Sequence, residues 1–158
     1  MISRTLTLVA ALGSGLMAGA FFAFSTFIMK ALGTLPAPQA VRAMQAINLA
    51  APHGLFLAAL VGTAAATALA PILGWGQPGA ALRIAGGALH LAGAFLVTAA
   101  ANVPRNDALA ASDPDSAAAA ELWTRYLTEW TAWNHVRTAA ALAAAALLTL
   151  SLLMARES

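Results

Sequence analysis

Between Thr5 and Met29 the chain runs for 25 residues without a formal charge. About 20 apolar residues in a helix cross a hydrocarbon core roughly 30 Å thick. In lipid a segment must satisfy its own backbone hydrogen bonds, so an apolar run of this length is expected to be helical. The run far exceeds the ~7–15-residue apolar region of a cleaved leader, although Arg4 precedes it. It reads as a first transmembrane helix, about 5–29. A second span is expected over about 52–73, with Pro52 in the first turn, where a missing N–H costs nothing. Pro71, Gly74, Gly76, Pro78 and Gly79 should then break the helix into a short turn around Trp75. A third span covers about 80–101, with Arg83 near its entrance. The last uncharged run, Thr138 to Ala155, is closed by Arg156 and Glu157. Being short, it draws His135 and Arg137 to the interface and places the fourth span at about 134–155. The expectation is an all-α fold, a four-transmembrane-helix bundle forming one integral membrane domain over 1–158.

Composition agrees. The chain is 61% hydrophobic and 9% charged, with mean hydropathy +0.78, against about 25% charged residues in an ordinary soluble domain. That is too little charge to clothe a soluble body and too much hydrophobicity for disorder. The net charge of +2 comes from 8 basic and 6 acidic residues, so nucleic acid is not an expected partner; the lipid bilayer is. The absence of cysteine removes disulfide and thiolate chemistry. An alanine-rich chain that prefers arginine to lysine suggests a multi-pass protein of a bacterial inner membrane. Its orientation stays open. Lys30, Arg42, Arg105, Arg125 and Arg137 on one side outnumber Arg4, Arg83 and Arg156 on the other, but the excess vanishes once Arg125, far from a span end, and a buried Arg137 are set aside.

Two polar segments interrupt the apolar runs. In Pro36–Ala51, Val41, Met44, Ile47 and Ala51 share one face while Gln39, Arg42 and Gln45 lean away, as in a short interfacial helix between spans 1 and 2. In Asn102–Asn134, Asn106-Asp107 and Ser112-Asp113-Pro114-Asp115 carry turn and cap chemistry. Ser116 is placed to cap a helix starting near Ala117, and Glu121–Arg125–Glu129 has the spacing of i,i+4 ion pairs. No breaker follows, so an extended helix should lead into span 4, nearly 60 Å in all at 1.5 Å per residue. Gly15-x-x-x-Gly19 suits close helix approach, within the chain or in a homo-oligomer.

Four alternating spans gather the polar residues at one end of the bundle: Asn48, Asn102, Asn106, Asp107, Trp130, Trp133, Asn134, His135 and Arg137. Trp123, Tyr126, Trp130, Trp133, Asn134 and Arg137 recur along one stripe of the last helix. An aromatic belt with packing accounts for the tryptophans as well as ligand contact does. Asn134 and Arg137, where water is scarce, require partners: each other, Asn102 or Asp107. His90, with Ala94, Thr98 and Asn102 at four-residue intervals, lies near the bilayer midplane. It is either a cofactor ligand, for instance an axial haem ligand, or a buried histidine bonded to Ser14, Ser25, Thr63 or Thr67. No histidine or carboxylate pair has metal-ligand spacing, and no nucleotide-binding glycine motif occurs.

The residues Phe22-Ala-Phe-Ser25, Met44-Gln-Ala-Ile-Asn48, Asn102-Val-Pro-Arg-Asn-Asp-Ala-Leu109 and above all Trp130-Thr-Ala-Trp-Asn-His-Val-Arg137 resemble the DUF1772 family, which includes the anthrone oxygenases. The resemblance implies a four-span membrane protein. In the characterised branch it also implies O2-dependent oxidation of an anthrone to an anthraquinone, with Asn48, Asn102, Asn106, Trp130, Trp133, Asn134 and Arg137 as the matching site positions. On that reading the chain is a membrane-embedded oxidoreductase acting on a lipophilic aromatic small molecule. Asp107 or His135 would serve as base, and Asn102, Asn134 and Arg137 as oxyanion donors. The resemblance implies no particular cofactor. The alternative is a non-catalytic membrane subunit that binds a lipid, quinone or haem. A transporter is disfavoured by four spans without an inverted repeat.

Overall fold

Each apolar run folds into a helix longer than its uncharged core. The structure, a computed structural model, describes residues 1–154. Among them are α1 (Ile2–Leu32), α2 (Ala37–Ala50), α3 (Gly54–Leu73), α4 (Ala80–Ala110) and α5 (Ala117–Met154), with no strand. Four of these, α1, α3, α4 and α5, are long and apolar enough to cross a membrane. The expected end of the last span at Ala155, with Arg156 and Glu157, lies outside the described residues.

The four long helices form a ring in which α1 and α4 each pack against both α3 and α5. Missing side chains set the spacing. A Cβ on Gly87 would stand 2.6 Å from the Thr67 carbonyl oxygen of α3, and one on Gly93 would stand 2.4 Å from the Ala140 Cβ of α5. Only glycine lets α4 lie so close to both neighbours. By contrast, Gly15 and Gly19 have nothing within 4 Å of a built Cβ. They face outward, so that motif does not pack within the chain.

One end of the ring is closed by the α3–α4 turn. Gly76 and Gly79 adopt positive φ there, and the buried Arg83 donates to the Gly74 and Gln77 carbonyls at 2.8 and 3.3 Å. Pro71 does not break α3; it lies within the helix, which ends at Gly74. The start of α3 also differs from expectation: Gly54, at φ 58°, begins the helix, not Pro52.

At the other end α2 lies over the first half of α5 and the last turns of α4. Val41 and Met44 join Met29, Leu109, Trp123, Tyr126 and Trp130 in one apolar cluster. The first half of α5 is therefore covered. Gln45, expected to lean away, instead donates to the Leu109 and Ser112 carbonyls at 2.9 and 3.1 Å, where α4 runs out of N–H donors for its last carbonyls. Arg42 pairs with Asp115. The Glu121–Arg125–Glu129 ladder does not form: Glu129 pairs across helices with Arg105 at 2.9 Å. Ser116 does cap α5, its Oγ accepting the Ala119 N–H at 3.1 Å.

The largest departure concerns 102–110. The expected turn at Asn106-Asp107 is helix, continuous with the third span. A proline inside a helix removes one hydrogen bond and crowds the carbonyl four residues back. Here π-helical turns at Thr98–Asn102 directly precede Pro104, and the wider turn makes room for the ring. The helix therefore passes the proline and carries Asn106 and Asp107 along its own surface.

Candidate active site

Beneath α2, and enclosed by α1, α3, α4 and α5, lies a cavity of about 540 Å³. Its walls are mostly apolar. Phe21 and Phe24 come from α1, Met44 and Ile47 from α2, and Phe56, Leu57 and Leu60 from α3. Five of the expected site residues line it as well: Asn48, Asn106, Asp107, Trp130 and Arg137.

Arg137 is the central feature. Its side chain is 5% exposed in the bundle interior, and no carboxylate pairs with it among the described residues. Its nitrogens donate to Asn134 Oδ1 at 2.5 Å and Thr98 Oγ1 at 3.2 Å. The guanidinium carbon stands 4.4 Å from the Phe21 ring centroid and 5.0 Å from that of Trp130, within cation–π range. Arg137 Nε is buried without an acceptor. An unpaired charge of this kind is costly in an apolar interior.

Asn134, three residues earlier on the same face, does not reach the cavity; it holds Arg137 in place. It accepts from Arg137 through Oδ1 and donates from Nδ2 to the Phe21 carbonyl at 2.6 Å and to Ser25 Oγ at 2.7 Å. Thr138 donates to the Asn134 carbonyl, which leaves its oxygen free to take the Ser25 hydroxyl at 3.1 Å. Asn102 is also a supporting residue. Wholly buried, it donates to the Trp130 carbonyl at 3.1 Å and does not line the cavity. The expected pairing of Asn134 with Arg137 is present, whereas Asp107 takes no part in it. Asp107 is exposed, on the cavity wall at the end of α4.

The aromatic stripe is a stack. Trp123, Tyr126 and Trp130 follow one another with centroids 5.6 and 5.8 Å apart, and Phe24 packs on Trp130 at 5.6 Å. Asn106 Oδ1 accepts from Tyr126 Oη at 2.7 Å and from Trp130 Nε1 at 2.8 Å, and Asn48 Nδ2 donates to Tyr126 Oη at 3.3 Å. Three helices thus share one polar network.

Three expected residues fall outside the site. Trp133, 40% exposed, and His135 face outward from α5. Each neighbours Asn134 in sequence, and adjacent helical residues diverge by about 100°. Neither lines the cavity. His90 is fully enclosed, its Nδ1 bonded to Ser14 Oγ at 3.0 Å, and it does not line the cavity. The Ser14 bond is the one expected of a buried histidine, and Nε2 is enclosed without a partner. Sequence reasoning missed Phe21, Thr98 and the α3 residues. Thr98 does share the face of His90 and Asn102. On α3, apolar on every side, no periodicity marks which residues face inward.

A family model described as anthrone oxygenase matches residues 42–147, or 106 of the 158 residues. The chain belongs to the anthrone oxygenase family. The family match runs from α2 into the last third of α5 and contains the Asn48, Asn106, Asp107, Trp130 and Arg137 wall; α1, which contributes Phe21, Phe24 and Ser25, precedes it. No curated protein and no solved structure matches the chain.

Proposed function

We propose that this membrane protein of the anthrone oxygenase family is an O2-dependent oxidoreductase that converts a flat lipophilic anthrone to the corresponding quinone. The observation that carries the reading is Arg137: a buried guanidinium on the wall of an apolar cavity, fixed by Asn134 and Thr98 and without a counter-carboxylate. Such a group is matched to negative charge that develops on a ligand oxygen. The cavity volume of about 540 Å³ is of the size that holds small-molecule ligands.

An anthrone carries an acidic C–H para-disposed across its central ring from a carbonyl. Loss of that proton leaves a carbanion whose charge is shared with the carbonyl oxygen. Arg137 stabilises this oxyanion, and Asp107, the carboxylate on the cavity wall, accepts the proton. The carbanion gives electrons to O2 and forms a C–O bond. The hydroperoxide then loses water, so one oxygen atom stays on carbon as the new carbonyl and the other leaves as water. No external reductant is needed. Phe21, Phe24 and Trp130 flank the ring system and exclude bulk water. Phe56 and Leu57, at the partly exposed start of α3, offer entry from the acyl chains. The partners are the lipophilic substrate and the bilayer. The outward Gly15 and Gly19 surface suits a homo-oligomer, and the composition suits a bacterial inner membrane.

The test is O2 uptake by the purified protein with an anthrone. The expected result is one O2 consumed per quinone formed, faster than autoxidation without protein. Uptake no faster than autoxidation overturns the proposal and leaves a non-catalytic lipid- or quinone-binding subunit.

A further inference from the structure

Resting on the oxyanion reading of Arg137, a second question is how the cavity distinguishes an oxygen-bearing arene from a bare hydrocarbon. The network across α2, α4 and α5 answers it through hydrogen-bond polarity. An indole N–H can only donate. The atom of Asn106 that stands 2.8 Å from Trp130 Nε1 must therefore be the carbonyl oxygen, which removes the usual ambiguity of an amide flip. The same Oδ1 lies 2.7 Å from Tyr126 Oη, so the phenol donates to it as well. With both donors on Oδ1, the Nδ2 amino group is turned away from them. It makes no hydrogen bond among the described residues, and Asn106 lines the cavity. Its two N–H groups are thus presented to whatever fills the space.

The polarity passes one step further. Having spent its proton on Asn106, the Tyr126 oxygen can only accept, so the Asn48 atom 3.3 Å away is Nδ2. That leaves Asn48 Oδ1 as an acceptor on the α2 wall of the cavity, next to Asn106 through the shared Tyr126 hydroxyl.

We propose that Asn106 is a specificity-determining donor that, together with Arg137, selects ligands carrying an acceptor oxygen, and that Trp130 and Tyr126 are the positioning residues that set its amide. Asn48, held in the reverse sense, faces a ligand hydroxyl. A site built this way discriminates strongly, because an arene without oxygens leaves its donors unpaired.

The experiment is equilibrium binding to the purified protein in detergent, followed by tryptophan quenching, with 1,8-dihydroxyanthraquinone and anthracene as probes. Asn106→Asp keeps the acceptor for Trp130 and Tyr126 but has no N–H to offer. It should weaken the dihydroxyanthraquinone by at least 10-fold and leave anthracene within 2-fold. Tyr126→Phe frees one anchor of the amide while keeping the ring, and should lower the ratio of the two affinities by about 3-fold. A merely structural role for Tyr126 would move both probes together. If Asn106→Asp does not accumulate as folded protein, Asn106→Ala, which has no side-chain donor, is held to the same ratio. Equal losses for both probes, or none for either, overturn the proposal. Because binding is read without turnover, this outcome is separate from that of the O2-uptake experiment: a protein that fails to oxidise an anthrone can still show the ratio, and the converse.

Discussion

The two ends of this bundle each bury an arginine, and they use it in opposite ways. Arg83, 2% exposed, donates to the Gly74 and Gln77 carbonyls of the turn it closes. Arg137, 5% exposed, is held by the side chains of Asn134 and Thr98 and stands on a cavity wall. Removing either charge from water carries a similar cost. At the Arg83 end the return is structural, because the guanidinium adds a second donor to two turn carbonyls that already accept backbone N–H groups and so ties the turn to α4. At the Arg137 end the partners are two side chains, Asn134 and Thr98, and the guanidinium they hold stands on a cavity wall where a ligand can reach it. A buried cation therefore marks a site when its partners leave it facing open space, and a brace when they are backbone.

The sharpest way to break this comparison is to remove each charge in turn. Arg137→Met should lower kcat/KM for an anthrone by about 10²–10³-fold, the usual loss for one oxyanion donor. Its stability should fall by about 1–3 kcal/mol, because the buried Asn134 Oδ1 is left without its donor. A fall in stability with normal turnover would make Arg137 a second Arg83. Arg83→Met should cost stability alone. Two carbonyls lose a charged donor, a cost on the order of 3 kcal/mol, read as an earlier detergent melt, with kcat of the folded fraction unchanged. Ser14→Ala sharpens the point for the other buried polar pair: loss of the bond to His90 Nδ1 should cost about 1–2 kcal/mol and leave turnover alone. The smallest effects belong to Trp133→Ala and His135→Ala. Both residues face outward, so activity should stay within 2-fold in a steady-state assay and stability within about 0.5 kcal/mol. A large activity loss in His135→Ala would return it as the base in place of Asp107.

Much of the fold was legible because bilayer physics is read from composition along the chain. Uncharged runs announced the four long helices, the Val41–Met44–Ile47 spacing announced α2, and Ser116 announced the start of α5. The extent of α4 was not legible. Asn102-Val-Pro-Arg-Asn-Asp has the local chemistry of a turn, and only the π-helical turns before Pro104 carry the helix through it. In the site, Asn134 and Arg137 were recognisable as a pair because two polar groups in lipid need one another. Trp133 belongs to the same stripe by its spacing but stands at its edge and is 40% exposed, and His135 shares only the end of the bundle, since a helix sends neighbouring residues to different faces. Nothing local marks the α3 wall, since a helix surrounded by apolar material on all sides has no polar face to mark its inward one.

What the sequence determined by itself is the number of long helices and the identity of the few polar residues that had to be paired, because both follow from the absence of water around each segment. What only the tertiary structure decided is the direction of those polar groups. A hydrogen bond fixes donor against acceptor only when its partner is known, and the partners of Asn106, Asn134, Arg137 and His90 come from other helices, 20 to 113 residues away in sequence, apart from the local Arg137–Asn134 bond. Packing brought those partners together, and in doing so left Arg137 facing a cavity and Arg83 a turn.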